Sequence, residues 1–177
     1  MKTRFFYLTL FLLVAGIFTS KVQAQEVAGT KYLNAGIGIG SFNAGGIPLG
    51  VSFEYGLKNN ISVGAFFDYA RYGENYAGYK WHYTFLYFGG RASYHANELF
   101  GISNEKLDVY GGLSLGFRSV SYKDNSGYYN DYYNPYTNSL ILGLHAGARY
   151  MLSEKVGGFA EVGYGVAALR LGVTAKF

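Results

Sequence analysis

The sequence contains no cysteine, only two prolines and few charged residues. The absence of cysteine excludes a disulfide scaffold and any metal site built on thiolates. A transmembrane helix needs about 20 apolar residues, and the longest apolar run here extends only from Phe5 to Ile17. What the chain does contain is 26 glycines, 19 tyrosines and 14 phenylalanines. Such a richness in aromatic residues favours β-strands.

The first residues predict a secretory signal peptide. Lys2 and Arg4 precede the short apolar run, and Val22-Gln23-Ala24 places small residues at the positions that a signal peptidase reads. We expect cleavage after Ala24, which leaves residues 25–177 as a single domain. Removal of residues 1–24 takes away three of the 15 basic residues and none of the 11 acidic ones, so the net charge falls to +1. With no clustered basic face, the composition argues against nucleic-acid binding.

Alternation of large apolar residues with small or polar ones predicts eight β-strands. The predicted strands are Tyr32–Gly40, Leu49–Leu57, Ile61–Tyr72, Tyr83–Ala96, Leu107–Tyr122, Leu140–Tyr150, Phe159–Val166 and Leu169–Phe177. One face of each strand is rich in Leu, Val, Ile and Phe, and the other carries mostly glycine, serine and single charges. We therefore predict an all-β fold, an eight-stranded antiparallel up-and-down transmembrane β-barrel with its apolar face outward and its small and polar face inward.

The connections between the strands predict an orientation. Lys58–Asn60 and Ser153–Lys155 are short turns, whereas Ser41–Pro48, Gly73–Trp81 and Lys123–Asn138 are longer loops. Outer-membrane barrels keep short turns in the periplasm and long loops outside. The long turn Asn97–Lys106 and the tight loop at Ala167-Ala168 depart from this rule. The outward aromatic residues at the periplasmic strand ends are Tyr55, Tyr94, Tyr150 and Phe177, as an interfacial girdle requires.

The final strand carries a motif typical of an assembly signal. Arg170-x-Gly172-x-x-Ala175-x-Phe177 ends the chain, and an unpaired apolar edge of this kind is rare in soluble proteins. With its alternation and its paired Arg-Tyr strand ends, the chain resembles the small eight-stranded outer-membrane barrels of the OmpA/OmpX type, in a form common in Bacteroidetes. The resemblance implies an outer-membrane location with both mature termini periplasmic, contacts with outer-membrane lipid and with the barrel-assembly machinery, and no cofactor.

The inward charges are candidates for a function inside the barrel. The predicted lumen charge network consists of Glu54, Asp68, Arg91, Asp108, Arg118, Arg149, Glu161, Arg170 and Lys176. Pairing across the predicted turns places Arg149 near Glu161 and Glu161 near Lys176. A closed salt-bridge network is favoured over an ion-selective pore, because eight strands leave little bore.

Ser93, His95 and Asp108 form a second candidate group. The two residues on the fourth strand share a face, and the following turn brings Asp108 near His95, as in an activated nucleophile. The site lies in a narrow mouth without room for an acyl substrate, and lipid-A deacylase barrels use the order His-x-Ser on the lipid-facing side. We therefore predict an interior hydrogen-bond cluster and no catalytic site. His82 and His145 lack the convergent ligands that a metal needs.

The loop Lys123–Asn138 is a candidate binding surface for an unknown extracellular ligand. Its five tyrosines are Tyr128, Tyr129, Tyr132, Tyr133 and Tyr136, interspersed with Asn, Asp and Ser. Tyrosine supplies contact area at low entropic cost, although tyrosines also form interfacial girdles. The sequence thus favours a non-enzymatic outer-membrane barrel that is membrane-structural or binds through its loops. A small porin-like channel is the alternative, and a lipid-modifying enzyme comes third.

Overall fold

A computed structural model describes residues 28–42, 45–76, 79–124 and 136–177. The predicted signal peptide lies outside these residues. The described chain forms eight strands: β1 (Lys31–Ser41), β2 (Leu49–Gly56), β3 (Ile61–Tyr76), β4 (Tyr79–His95), β5 (Leu107–Asp124), β6 (Ser139–Met151), β7 (Val156–Tyr164) and β8 (Ala167–Lys176). Every strand pairs antiparallel with its sequence neighbours, and β8 pairs with β1 to close the barrel. Within the described residues, no helix is long and apolar enough to cross a membrane.

The inside and outside of the barrel are inverted relative to a soluble protein, as the alternation predicts. Leu140 and Leu142 on the outer face are 77% and 73% exposed, whereas Glu54, Asp68 and Arg149 inside are 0% exposed. An apolar outer wall and a polar, filled interior are what a barrel in a lipid bilayer requires. The predicted fold class is confirmed.

Glycine on the inner face lets side chains cross the narrow lumen. Gly36 on β1 faces Gly172 on β8, and the ring of Phe159 lies over this pair. A Cβ atom built on Gly172 would lie 2.7 Å from the Phe159 ring and closer still to the backbone of Ala35. The glycine pair therefore provides the room that the buried ring occupies.

The two ends of the barrel differ in their connections. We define the lower end as the one where β1 begins and β8 ends, and the upper end as the opposite one. At the lower end, Asn59 and Asn60 both have positive φ in a tight β2–β3 turn, as asparagine tolerates in hairpins. The longer β4–β5 connection at this end is fixed by Asn97, whose side chain bonds the backbone of Leu107 and Val109.

Several strand boundaries differ from the prediction. β3 continues to Tyr76 and β4 already begins at Tyr79, so most of the predicted loop Gly73–Trp81 belongs to the β3–β4 hairpin. β7 begins at Val156, earlier than predicted, and β8 begins at Ala167. Val166, predicted to face outward, is buried in the lumen, because Gly165 takes a positive φ and breaks the alternation. Polar residues at strand ends hid these extensions, since their alternation is weak.

The upper rim is uneven as a result. β3, β4 and β5 have 16, 17 and 18 residues, whereas β7 and β8 have 9 and 10. One side of the wall therefore rises well above the other. At the lower end, the outward aromatic residues Tyr55, Tyr94, Tyr150 and Phe177 are all exposed near the strand termini, so their predicted clustering is confirmed.

Candidate functional site

The lumen is the only region where the barrel gathers charged groups out of contact with solvent, among the residues that the structure describes, and it has two layers. The polar layer occupies the lower half, and the aromatic layer occupies the upper half. The polar layer contains Asn34, Glu54, Ser62, Asp68, Arg91, Ser93, His95, Asp108, His145, Arg149, Glu161 and Arg170. The aromatic layer contains Phe66, Ala70, Tyr83, Phe85, Tyr87 and Val166, with Tyr72, Trp81, Val120, Tyr122, Tyr136 and Ile141 packed against them.

Arg149 on β6 is the centre of the polar layer. Its guanidinium group forms an ion pair with Glu54. It also donates a 2.8 Å hydrogen bond to Asp108 and a 3.2 Å hydrogen bond to the side-chain amide oxygen of Asn34. The central carbon of the guanidinium group, Cζ, lies 4.5 Å from the ring centre of Tyr32 and 3.9 Å from that of Tyr110. The planar, five-donor group thus satisfies two carboxylates while two aromatic faces enclose it.

Arg91 on β4 connects this cluster to the opposite wall. It donates a 2.8 Å hydrogen bond to Glu161 on β7 and lies 3.6 Å from Glu54. The hydroxyl of Tyr110 donates to the same Glu161 oxygen at 3.2 Å. Because buried charges are tolerable only when paired and hydrogen-bonded, this sharing stabilises the charges of Glu54, Arg91 and Glu161 inside the barrel.

Arg170 and Asp68 form the upper boundary of the polar layer. Together with Arg91, His145 and Glu161, they line a small internal cavity of about 40 Å³. This volume has room for about two water molecules. It is too small for a lipid or sugar substrate.

The predicted membership of the network is largely correct, but the predicted pairs are wrong. Seven of the nine charges are buried: Glu54, Asp68, Arg91, Asp108, Arg149, Glu161 and Arg170. Arg149 pairs with Glu54 and Asp108 and not with Glu161, which instead pairs with Arg91. The β6–β7 register sets Arg149 opposite Phe159, and the long side chains pair across the lumen instead of along neighbouring strands.

The remaining two charges lie at the ends of the barrel. Arg118 is half-buried near the upper end and donates to the backbone oxygen of Thr137 at 3.1 Å. Lys176 is half-buried at the lower end, and the β7–β8 register places Arg170 opposite Glu161. No ion pair of Lys176 occurs among the described residues, so its predicted contact with Glu161 is wrong.

The Ser-His-Asp arrangement exists, but with a different serine. His95 Nδ1 lies 2.7 Å from Asp108, as predicted, and His95 Nε2 lies 3.0 Å from the hydroxyl of Ser62 on β3. Ser93 instead donates to Glu54 at 2.6 Å and lies 2.9 Å from His145 Nε2. Ser62 lies here because the β3–β4 register sets it directly opposite Ser93, two residues before His95.

The chemistry available to this cluster is limited by access. Ser62 is 0% exposed, and His95 and Asp108 are each 2% exposed. A nucleophile needs space for a substrate and donors for the developing oxyanion, and here Glu54 and His95 occupy the space on both sides of the serine hydroxyl. Within the described residues, no group of three or more His, Asp or Glu side chains is arranged to hold a metal ion.

The aromatic layer was not predicted as a unit. Trp81, Tyr83, Phe85 and Tyr87 follow one another on the inner face of β4, with the same parity as Arg91. That alternation was the signal that could have revealed it. Phe85 and Tyr87 are 0% exposed and their rings stack 6.5 Å apart.

Tyr136, predicted in the binding loop, packs into this layer. Its ring lies 5.4 Å from Phe85 and 5.1 Å from Tyr83, edge to face in both cases. It therefore contributes to the filling of the lumen. The other four loop tyrosines, Tyr128, Tyr129, Tyr132 and Tyr133, lie outside the described residues.

Comparison with solved structures agrees with this geometry. The chain is similar to the N-terminal β-barrel domain of OprF from Pseudomonas aeruginosa, at 16% identity and a TM-score of 0.53, covering 85% of this chain and 98% of that one. It is also similar to Ail, the attachment invasion locus protein of Yersinia pestis, at 14% identity and a TM-score of 0.51, covering 85% and 99%. Neisserial surface protein A matches at 16% identity and a TM-score of 0.50, covering 83% and 92%.

This is the fold of the small eight-stranded outer-membrane β-barrels. The resemblance stated from the terminal motif is therefore confirmed at the level of the fold. No protein-family model matches the chain, and no curated protein matches its sequence. The chemistry of this barrel must be argued from its own lumen and surface.

Proposed function

We propose that the chain is a non-enzymatic, non-conducting barrel of the bacterial outer membrane. The observation that carries this proposal is the filled lumen. Arg149 is enclosed between Tyr32 and Tyr110 in the polar layer, and Phe85 and Tyr87 fill the aromatic layer above it. An ion would have to displace paired charges and then stacked rings, so the lumen is closed to ions.

The proposed location and orientation rest on the outer wall. The apolar band is continuous, and the aromatic residues Tyr55, Tyr94, Tyr150 and Phe177 mark its lower edge. The lower end carries the short β2–β3 and β6–β7 turns, and the extended β3–β5 wall rises at the upper end. Placing the lower end, with both termini, in the periplasm follows the convention of outer-membrane barrels.

A surface-binding role through the upper end is the finer part of the proposal. The β3–β5 wall rises above the rest of the rim, and β5 ends at Asp124, where the tyrosine-rich stretch of the sequence begins. One neighbour in fold, Ail, is named for attachment and invasion. A wall of this kind presents a rigid base from which loops reach an extracellular ligand.

The closing strand is proposed to contact the barrel-assembly machinery through Arg170, Gly172, Ala175 and Phe177. Phe177 exchanges backbone hydrogen bonds of 3.0 and 3.2 Å with Lys31, which completes the β1–β8 seam, and its ring faces outward. Deletion of Phe177 should reduce the folded fraction in cells far more than deletion of residues 125–135, as measured by heat-modifiable migration on gels.

Single-channel recording of the refolded chain, residues 25–177, tests the closed lumen. We expect no steady current above the baseline of a protein-free bilayer, while heat-modifiable migration shows that the protein is folded. A porin recorded under the same conditions is the positive control. A reproducible steady conductance from folded protein would favour the small-channel alternative and refute the proposal that the lumen is closed.

A further inference from the structure

The outer wall of β3, β4 and β5 changes from apolar to cationic towards the upper end. Cross-strand partners lie side by side across the tilted strands, so the outward side chains form rows that follow the hydrogen bonds around the barrel. Phe67, Phe88 and Phe117 make one row, and Tyr69, Leu86 and Ser119 make the next. Arg71, Thr84 and Ser121 follow, and above them lies the row of Gly73, His82 and Lys123.

Cationic side chains line one open groove. Arg71, Lys80 and Lys123, together with His82, surround a volume of about 680 Å³ that is also lined by Trp81 and by a single carboxylate, Glu74. Arg71 and Lys123 are exposed, and neither forms an ion pair within the part of the chain that the structure describes. The groove therefore brings several positive charges together with a single negative one.

The height of this groove can be estimated from the strand geometry. From Tyr94 at the lower girdle to Leu86, β4 advances about 27 Å, or about 21 Å along the barrel axis at a tilt of about 40°. Arg71 lies one row higher, near the top of an apolar band of about 25 Å. His82 and Lys123 lie a further 5 Å up, within the headgroup layer, which adds roughly 5–8 Å on each side of the bilayer.

Among the described residues, the upper ends of the shorter strands carry no such cluster. The outward residues near the upper end of β6, which pairs with β5 at Phe117 and Leu115, are Leu140 and Leu142, and those of β1 are Ile37 and Ile39, all of them exposed and apolar. The positive charge is thus confined to the side where the wall is tallest. Basic residues that project into the headgroup layer attract anionic lipids by about 1 kcal/mol each.

We propose that the Arg71–His82–Lys123 groove binds the phosphate of a phosphorylated lipid in the leaflet at the upper end. Arg71 holds a phosphate oxygen by paired N–H donors, as guanidinium groups do. Lys123 contributes positive charge and His82 a ring N–H donor from the next row, and the apolar rows below hold the acyl chains. The inference rests on the proposed membrane location and adds a specific lipid contact to it.

The experiment titrates the folded protein in detergent micelles with bisphosphorylated lipid A, followed by native mass spectrometry. Emission of Trp81, the single tryptophan of the chain, provides a second readout at the groove. The test variant is Arg71→Gln with Lys123→Gln. The matched control is Lys58→Gln with Lys155→Gln, two exposed lysines in lower-end turns.

We expect the test variant to bind lipid A about 30-fold more weakly, because two basic residues that each contribute about 1 kcal/mol are removed. The control should bind as the unchanged protein does. Dephosphorylated lipid A should bind the unchanged protein as weakly as the variant binds the phosphorylated form. Equal affinity of test and control variants would refute the site. Displacement of the lipid by equimolar inorganic phosphate or a heparin fragment would also refute it, by showing a general anion patch. Failure of the unchanged protein to show heat-modifiable folding would instead refute the membrane proposal.

Discussion

The polar layer fills its half of the lumen with four carboxylates and three guanidinium groups, whereas the aromatic layer fills the other half with rings that stack or pack edge to face. In the polar layer each group depends on particular partners, as Arg149 does on Glu54 and Asp108. In the aromatic layer, rings such as Phe85 and Tyr136 depend mainly on filling a volume. The polar layer should therefore fail when one partner is lost, and the aromatic layer should fail in proportion to the volume removed.

Arg149→Ala should produce the largest loss of stability. It removes the closest guanidinium partner of two buried carboxylates, Glu54 and Asp108, which costs about 4 kcal/mol in the free energy of unfolding. Urea unfolding in lipid vesicles measures this loss. The deficit should shrink as the pH is lowered, because protonation removes the unpaired negative charge.

Arg118→Ala is the matched control, since Arg118 also faces inward but donates to a backbone oxygen near the rim. Its loss should cost about 1 kcal/mol, as for an ordinary hydrogen bond. Equal losses for Arg118→Ala and Arg149→Ala would show that the polar layer does not depend on specific pairs.

Phe85→Ala should produce the second-largest loss and should differ in kind. Removing a fully buried ring leaves a cavity and costs about 3 kcal/mol. The loss should not vary between pH 4 and pH 8, because no charge is left unpaired. Phe85→Leu, which keeps most of the volume, should cost about 1 kcal/mol, and urea unfolding at both pH values compares the two variants. A strong pH dependence for Phe85→Ala would mean that the two layers are coupled.

The sequence predicted the barrel because alternation acts on every strand at once. Eight apolar faces and a terminal strand that needs a partner leave few other folds, and faces such as that of β2 were correct residue by residue. Boundaries were less predictable where polar residues continue a strand, as in the β3–β4 hairpin. Val166 was misplaced because a single glycine with positive φ shifts the alternation.

The lumen pairs were not predictable from local register. Arg149 reaches Glu54, which lies 95 residues away in the sequence and on the far wall of the barrel. Such contacts depend on the diameter of the lumen and on which long side chain fills which gap. The sequence could identify which residues face inward, as it did for Arg91 and Glu161, but the pairing required the closed barrel.

Ser62→Ala should have the smallest effect and tests the polar layer from within. The hydroxyl of Ser62 donates to Glu54 at 3.0 Å and lies 3.0 Å from His95, yet both partners retain other hydrogen bonds. Its removal should cost about 1 kcal/mol, while the exposed Ser121→Ala on β5 should cost almost nothing.

The same variant separates a structural cluster from an active site. If Ser62, His95 and Asp108 act only in packing, the lipids of cells that express the unchanged protein and those that express Ser62→Ala should have identical mass spectra. A lipid modification present with the unchanged protein and absent with both Ser62→Ala and His95→Ala would assign a nucleophile to the polar layer. In that case the layer would have to open, and its charges could no longer be fully enclosed as Arg149 is between Tyr32 and Tyr110.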